Sequence, residues 1–170
     1  MKVFISYHRA DTKFRRKTEN ILRSHSVDYY VVPEDADFNG QKPEAIRSFL
    51  CEQLSDCDVL LCLIGNETYS RPHVDREIHT ALKGFAGQRL GIVAVHLPTR
   101  NDSLDALDVN TISPKLRKNK EYVVWTYWSS LNSGINSFLR QAVSNSNNRK
   151  LQTNHQNPCM DLRSKVYYDD

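Results

Sequence analysis

Residues 59–78 read Val59-Leu60-Leu61-Cys62-Leu63-Ile64-Gly65-Asn66-Glu67-Thr68-Tyr69-Ser70-Arg71-Pro72-His73-Val74-Asp75-Arg76-Glu77-Ile78. An unbroken apolar run stops at a glycine, a short polar loop follows, and a helical pattern begins. A run apolar at every position, rather than at alternate ones, suits a strand buried on both faces, as in the middle of a parallel sheet covered by helices. Past the loop, Val74, Ile78, Ala81, Leu82 and Phe85 recur at helical spacing and form one apolar stripe.

The same alternation extends in both directions. Residues 2–7 and 27–32 read as strands before this segment; "RLGIVAVHL" and "EYVVWTY" read as strands after it. Helical faces lie between and beyond them: Phe14, Thr18, Ile21 and Leu22; Ile46, Phe49, Leu50 and Leu54; Leu131, Ile135, Phe138, Leu139 and Ala142. Strands alternating with helices predict βαβ crossovers and an α/β fold. The expected form is a five-stranded parallel sheet in the flavodoxin-like order 2-1-3-4-5, flanked by helices.

Two segments fit this pattern less well. Residues 98–120 exceed an ordinary connection; a short helix near "SLDAL" and a flexible lid beside the site are expected there. From Ser144 the chain is rich in Asn and Ser and loses its periodicity. It therefore divides into a domain over 1–143 and a polar tail over 144–170, whose end, "CMDLRSKVYYDD", either docks as a strand or stays loose.

With 170 residues the chain is sized for one domain with a substantial core. A net charge of +3 gives no ground for a nucleic-acid partner. Cys51, Cys57, Cys62 and Cys159 form no CxxC pair, so they read as reduced thiols without a metal site. The first residues are too short an apolar core for a signal peptide, and no run approaches membrane-spanning length. A soluble, cytoplasmic protein is expected.

Open parallel sheets bind ligands at the carboxyl ends of their strands, where the strand order reverses. That point lies between the first and third strands. Ser6, Tyr7 and His8 end the first, and Gly65, Asn66, Glu67 and Thr68 end the third. Glu34 and Asp35 follow the second strand, and His96 ends the fourth. On the helical wheel Glu77 stands at the edge of the buried stripe, early in its helix, within reach of the crevice. Asp75 and Arg76 are expected to face solvent. By position alone, Glu77 is equally a boundary residue favouring the helix N-terminus.

"VFISYHRADT" together with "LLCLIGNETYSRPHVDREI" resembles the bacterial TIR-like domains of the Thoeris antiphage system. The match covers residues 2–97 well, the long loop and last helix only in outline, and the tail not at all. The resemblance implies a TIR fold and cleavage of NAD, as substrate rather than cofactor, at its nicotinamide glycosidic bond. It implies that Glu77 is catalytic, matching the glutamate on the helix after the third strand. It also implies an ADP-ribose-derived signal nucleotide, a cyclic isomer or a conjugate, that switches on a partner effector protein. A phage-derived trigger and self-association belong to the same expectation. The short second-strand loop, "PEDADFNG", departs from typical TIR domains and leaves the assembly mode open.

The chemistry agrees with that role. Nicotinamide in NAD is already cationic and leaves without a general acid, so the demand falls on the oxocarbenium-like ribosyl centre, which one carboxylate can stabilise. Substrate contacts are placed at Ser6, Tyr7, His8, Asp11, Gly65, Thr68 and Tyr69. Pyrophosphate can rest on backbone amides where the first helix starts, and Tyr7 or Tyr69 can stack on a ring. The plainer reading of His8 is that it orients its loop, and of Asp11 that it caps the first helix rather than binding substrate. Lys13, Arg15, Arg16 and Lys17 read as a solvated helix face, Trp125 and Trp128 as core packing, and Glu34 and Asp35 as solvent-exposed. Two rival functions remain: a non-enzymatic TIR-type adaptor acting by self-association, and a nucleoside deoxyribosyltransferase-like enzyme, which shares the fold and also sets a glutamate on a ribosyl centre.

Overall fold

The computed structural model describes residues 1–32, 42–151, 153–154, 159–160 and 167–168. In chain order the main elements are β1 (Lys2–Ser6), α1 (Thr12–Ser24), β2 (Asp28–Val31), α2 (Pro43–Ser55) and β3 (Val59–Ile64). They continue with α3 (Pro72–Lys83), β4 (Gly91–His96), α4 (Pro114–Lys118), β5 (Val124–Tyr127) and α5 (Trp128–Asn147). Five parallel strands form one sheet in the order β2-β1-β3-β4-β5, as the strand and helix alternation predicts.

Each central strand sends alternate side chains to opposite faces, and each face is apolar. Phe4, Leu60, Cys62, Ile64, Ile92 and Ala94 pack with Ile46, Leu50 and Leu54 of α2 and Val74, Ile78 and Ala81 of α3. Val3, Ile5, Leu61, Leu63, Val93 and Val95 pack with Phe14 and Leu22 of α1 and Leu131, Ile135 and Leu139 of α5. This explains why β3 and β4 are buried at every position. Gly91 lets α5 lie directly on the sheet, since a Cβ there would stand 2.5 Å from the Ala142 carbonyl. Trp128 packs edge-on against Phe14 at 4.9 Å between ring centroids, so its role is structural.

The long connection differs from the sequence reading. "SLDAL" is not helical; Ser103 and Ala106 form an isolated bridge there. The helix α4 instead starts at Pro114, where Ser113 Oγ accepts from the Lys115 amide at 3.3 Å. The signal was a serine cap followed by proline at the first helical position.

Residues past 144 also take up structure. The helix α5 runs on to Asn147, and the Asn145 side-chain amide donates to Tyr122 O at 2.8 Å. Arg89 donates to the carbonyls of Ser146, Asn148 and Leu151 at 3.2, 3.1 and 2.6 Å. Leu151 packs on the α2–α3 core, and Asn154 N donates to Asn119 Oδ1 at 2.7 Å. Farther on, β6 (Cys159–Met160) and β7 (Tyr167–Tyr168) pair antiparallel with each other, apart from the main sheet, and β6 lies against α3. Among the described residues no helix is long and apolar enough to cross a membrane.

Candidate active site

Parallel pairing sets Ser6, the last residue of β1, beside Cys62 of β3. The helix α3 delivers Glu77 to the same place. Its register follows from Pro72 at the first turn and from Val74, Ile78, Ala81 and Leu82, which bury one stripe against the sheet. Glu77 turns inward with them and is 5% exposed. Burial pushes its carboxyl up to about 8, with the neighbouring Ser6 hydroxyl acting in the opposite sense. Neither Glu77 Oε2 nor Ser6 Oγ completes a hydrogen bond, close as they are. Burial, and next the charge of Glu77, push the Cys62 thiol up to about 12, so it stays a neutral apolar neighbour.

Asp75 does not face solvent. It is 2% exposed, its Oδ2 lies 2.9 Å from Lys115 Nζ, and its Oδ1 accepts from Ser113 Oγ at 3.2 Å. The reason is tertiary: α4 covers the flank of α3 that the helical wheel leaves open. Arg76 is half-buried for its part.

The other expected contacts fall into different roles. The Thr68 hydroxyl accepts from the Gly65 amide at 2.9 Å and donates to Leu63 O at 3.3 Å, so it braces the turn after β3. Tyr7 packs on the α1–α5 core under the Arg15 guanidinium, 5.5 Å from its ring centre. Tyr69 is exposed and remains open for stacking. His8 Nδ1 accepts from Ala10 N at 3.4 Å and helps to shape its loop.

The surroundings of His8 are cationic. Burial first, then Arg71, lower its pKa, while Glu67 opposes them. Burial, with His8, Arg71, Arg9 and Arg76 adding to it, brings His73 down to about 4, so it is neutral at physiological pH. Of these groups Arg71 is ion-paired with Glu67. Asp11 is buried, and no side-chain hydrogen bond caps α1 from it. Its carboxylate lies over Gly65, where any Cβ would overlap it, and Thr99 Oγ1 donates to Oδ1 at 3.4 Å.

Sequence reasoning missed Arg100. Its guanidinium donates to Gly65 O at 3.4 Å, to Thr111 O at 2.9 Å and to Thr111 Oγ1 at 2.8 Å, and it clasps Asp102. Arg100 holds the Asp102 carboxyl well below the usual carboxylate range; burial opposes this, and the Asp108 amide and His96 add to it. His96 Nε2 lies 3.0 Å from Asp102 Oδ1. Residues 98–111 therefore form a strap fastened to the end of β3 rather than a loose lid. An Arg and an Asp two positions apart in a polar loop carry no periodicity by which the sequence could announce this.

Glu34 and Asp35 lie outside the described residues. Among the described residues no group of three or more His, Cys, Asp or Glu side chains could hold a metal ion. Chemically, the carboxyl ends of β1 and β3 bring together one buried, under-partnered glutamate and a hydroxyl beside it.

A family model for the TIR-like domain of Thoeris protein ThsB matches residues 4–102, from β1 through Asp102 of the strap. No curated protein matches the chain. Among solved structures, the TIR domains of the activated Roq1 resistosome directly recognizing the pathogen effector XopQ are similar at 14% identity. That likeness covers 86% of this chain and 83% of the other, with a TM-score of 0.47.

Proposed function

The chain belongs to the family of the Thoeris protein ThsB TIR-like domain, and from that premise we propose that it cleaves the nicotinamide glycosidic bond of NAD with Glu77 as the catalytic carboxylate. The observation that carries this reading is Glu77 itself. A carboxylate 5% exposed, with one oxygen unpartnered, stands at the switch point of the sheet. Structural glutamates are rarely left this way, because burying a charge without a partner is costly.

The step is a heterolysis. The bond between the nicotinamide ring nitrogen and ribosyl C1′ breaks, and both its electrons go to nicotinamide, which leaves neutral. Positive charge develops on the ribosyl centre, where Glu77 stabilises it. Glu77 is protonated at neutral pH while its surroundings stay apolar. The cationic ring of the substrate favours the ionised form, so binding and ionisation reinforce each other. The Ser6 hydroxyl is placed to donate to the carboxylate once it is charged. Water, or a nucleophilic group of the ADP-ribose itself or of a second molecule, then attacks C1′ and loses its proton.

The product, ADP-ribose or a signal nucleotide derived from it, links the chain to a separate effector protein in antiphage defence. Self-association and a phage-derived trigger belong to the same reading. The test is Glu77→Gln, which keeps size and removes charge. Nicotinamide release should fall on the order of 100-fold or more. The measurement is made on protein from infected cells, in which the wild type is first shown to be active. A Glu77→Gln protein with wild-type turnover there ends the assignment.

A further inference from the structure

The crevice contains a second buried carboxylate whose position the fold alone does not explain. Asp11 holds the N-cap position of α1, where an aspartate ordinarily accepts from the free amides of the first turn. Its side chain makes no such bond. It turns inward, 3% exposed, and lies over Gly65, in space that only the absence of a Cβ provides. Thr99 Oγ1, at 3.4 Å, is a long partner to one oxygen, and among the described residues the carboxylate finds no other hydrogen bond. An ionised carboxylate accepts at about four sites. Burial, chiefly, raises its pKa; Thr99 opposes the shift and Glu67 adds to it.

We propose that Asp11 is a specificity-determining residue of this crevice, whose carboxylate accepts hydrogen bonds from the hydroxyl groups of a ribose. The proposal rests on the nucleotide reading given above. A carboxylate repels phosphate and receives neutral O–H donors, and a vicinal diol presents two of them side by side. Asp11 and Glu77 also serve different parts of one ligand. Glu77 lies near Cys62, and Asp11 lies over Gly65, three residues farther along the chain. At strand spacing those two positions on the third strand's end are roughly 10 Å apart.

The experiment measures ADP-ribose binding by calorimetry to wild type, Asp11→Asn and Asp11→Ser, with melting curves for each. ADP-ribose lacks the bond to be cleaved, so binding is read apart from catalysis. The expected result is binding by wild type and at least about tenfold weaker binding by both variants, the loss of a hydrogen bond to a charged acceptor. Serine is a good helix cap, so Asp11→Ser rescues a capping role and leaves a ligand role unrescued. Wild-type affinity in either variant overturns the proposal, as does a wild type that binds no ADP-ribose. If both variants lose their cooperative transition, Asp11 holds the fold and the proposal falls. A wild type that binds ADP-ribose through Asp11 but never releases nicotinamide from NAD sinks the catalytic reading and leaves this one standing.

Discussion

Lys115 Nζ lies 2.9 Å from Asp75 Oδ2, and the two side chains are 0% and 2% exposed. The pair joins α4 to the helix that carries Glu77, two residues away. Both charges are out of water, so the pair matters to both partners. Breaking a buried ion pair by removing one side costs about 3–5 kcal/mol. Lys115→Met is therefore expected to lower the denaturation midpoint sharply, and Asp75→Asn less so, because asparagine can still accept from Ser113. Replacing both residues by apolar ones of similar volume should recover much of the loss. Urea unfolding of the singles and the double checks this, and a Lys115→Met protein as stable as wild type refutes it.

Glu77 predicts a pH dependence with a definite sign. Its folded pKa is pushed up to about 8, from an ordinary value of 4.5. The raised carboxyl leaves stability intact at low pH, below the unfolded value. Between about 4.5 and 8 the unfolded chain ionises and the folded one does not, so stability falls as pH rises, until the folded group ionises too. Glutamine does not titrate. Glu77→Gln should therefore melt near wild type at pH 4 and progressively above it toward pH 8 and 9. Parallel melting curves at all pH values would show that Glu77 is not perturbed in this way.

The same group sets the pH profile of turnover. If Glu77 acts as a carboxylate, kcat/KM for NAD cleavage rises with pH and levels off above about 8. A profile already flat from pH 5 would mean that the acting carboxylate is unperturbed.

Gly65 and Asp11 should be energetically coupled. A Cβ at position 65 overlaps the Asp11 carboxylate. Gly65→Ala is expected to cost about 1–3 kcal/mol by overpacking. In an Asp11→Gly background the same change should cost much less, because the space is vacated. A double-mutant cycle measures the difference, and additivity within about 0.5 kcal/mol would show that the two do not compete for that space.

Truncation separates the ordered from the dispensable part of the C-terminal stretch. Ending the chain after residue 143 removes Asn145, which bonds Tyr122 O, and the carbonyls that Arg89 binds. It also removes Leu151 from the core. Such a chain should melt several degrees lower, whereas one ending after Asn154 keeps these contacts and should melt closer to wild type. Equal melting temperatures for the two would make residues 144–154 irrelevant to stability.

What the sequence by itself pointed to was the five strands of the sheet, the four long helices that cover it and the order in which the strands pair. Residues 59–64 have no polar position, which suits a central strand, and the alternation of strands with helices made the order 2-1-3-4-5 the expected one. That topology located the crevice, and with it Ser6, Gly65 and the helix bearing Glu77. All of this is periodicity, which depends on near neighbours in the chain. The tertiary structure alone decided the rest. Helical spacing orients Asp75 outward, and only α4, arriving some 40 residues later with Lys115, covers it. The N-cap rule holds Asp11 at α1, and only a glycine at the end of another strand gives it a second place to go. Composition assigns residues from 144 to a tail, and Arg89 draws Ser146, Asn148 and Leu151 onto the domain through backbone carbonyls, which every sequence supplies alike. Arg100 and Asp102 close the strap in the same way, through contacts with Gly65 and Thr111 that no local pattern encodes. Burial and hydrogen-bond partners are properties of what comes to lie opposite a residue, and the chain near that residue carries no record of it.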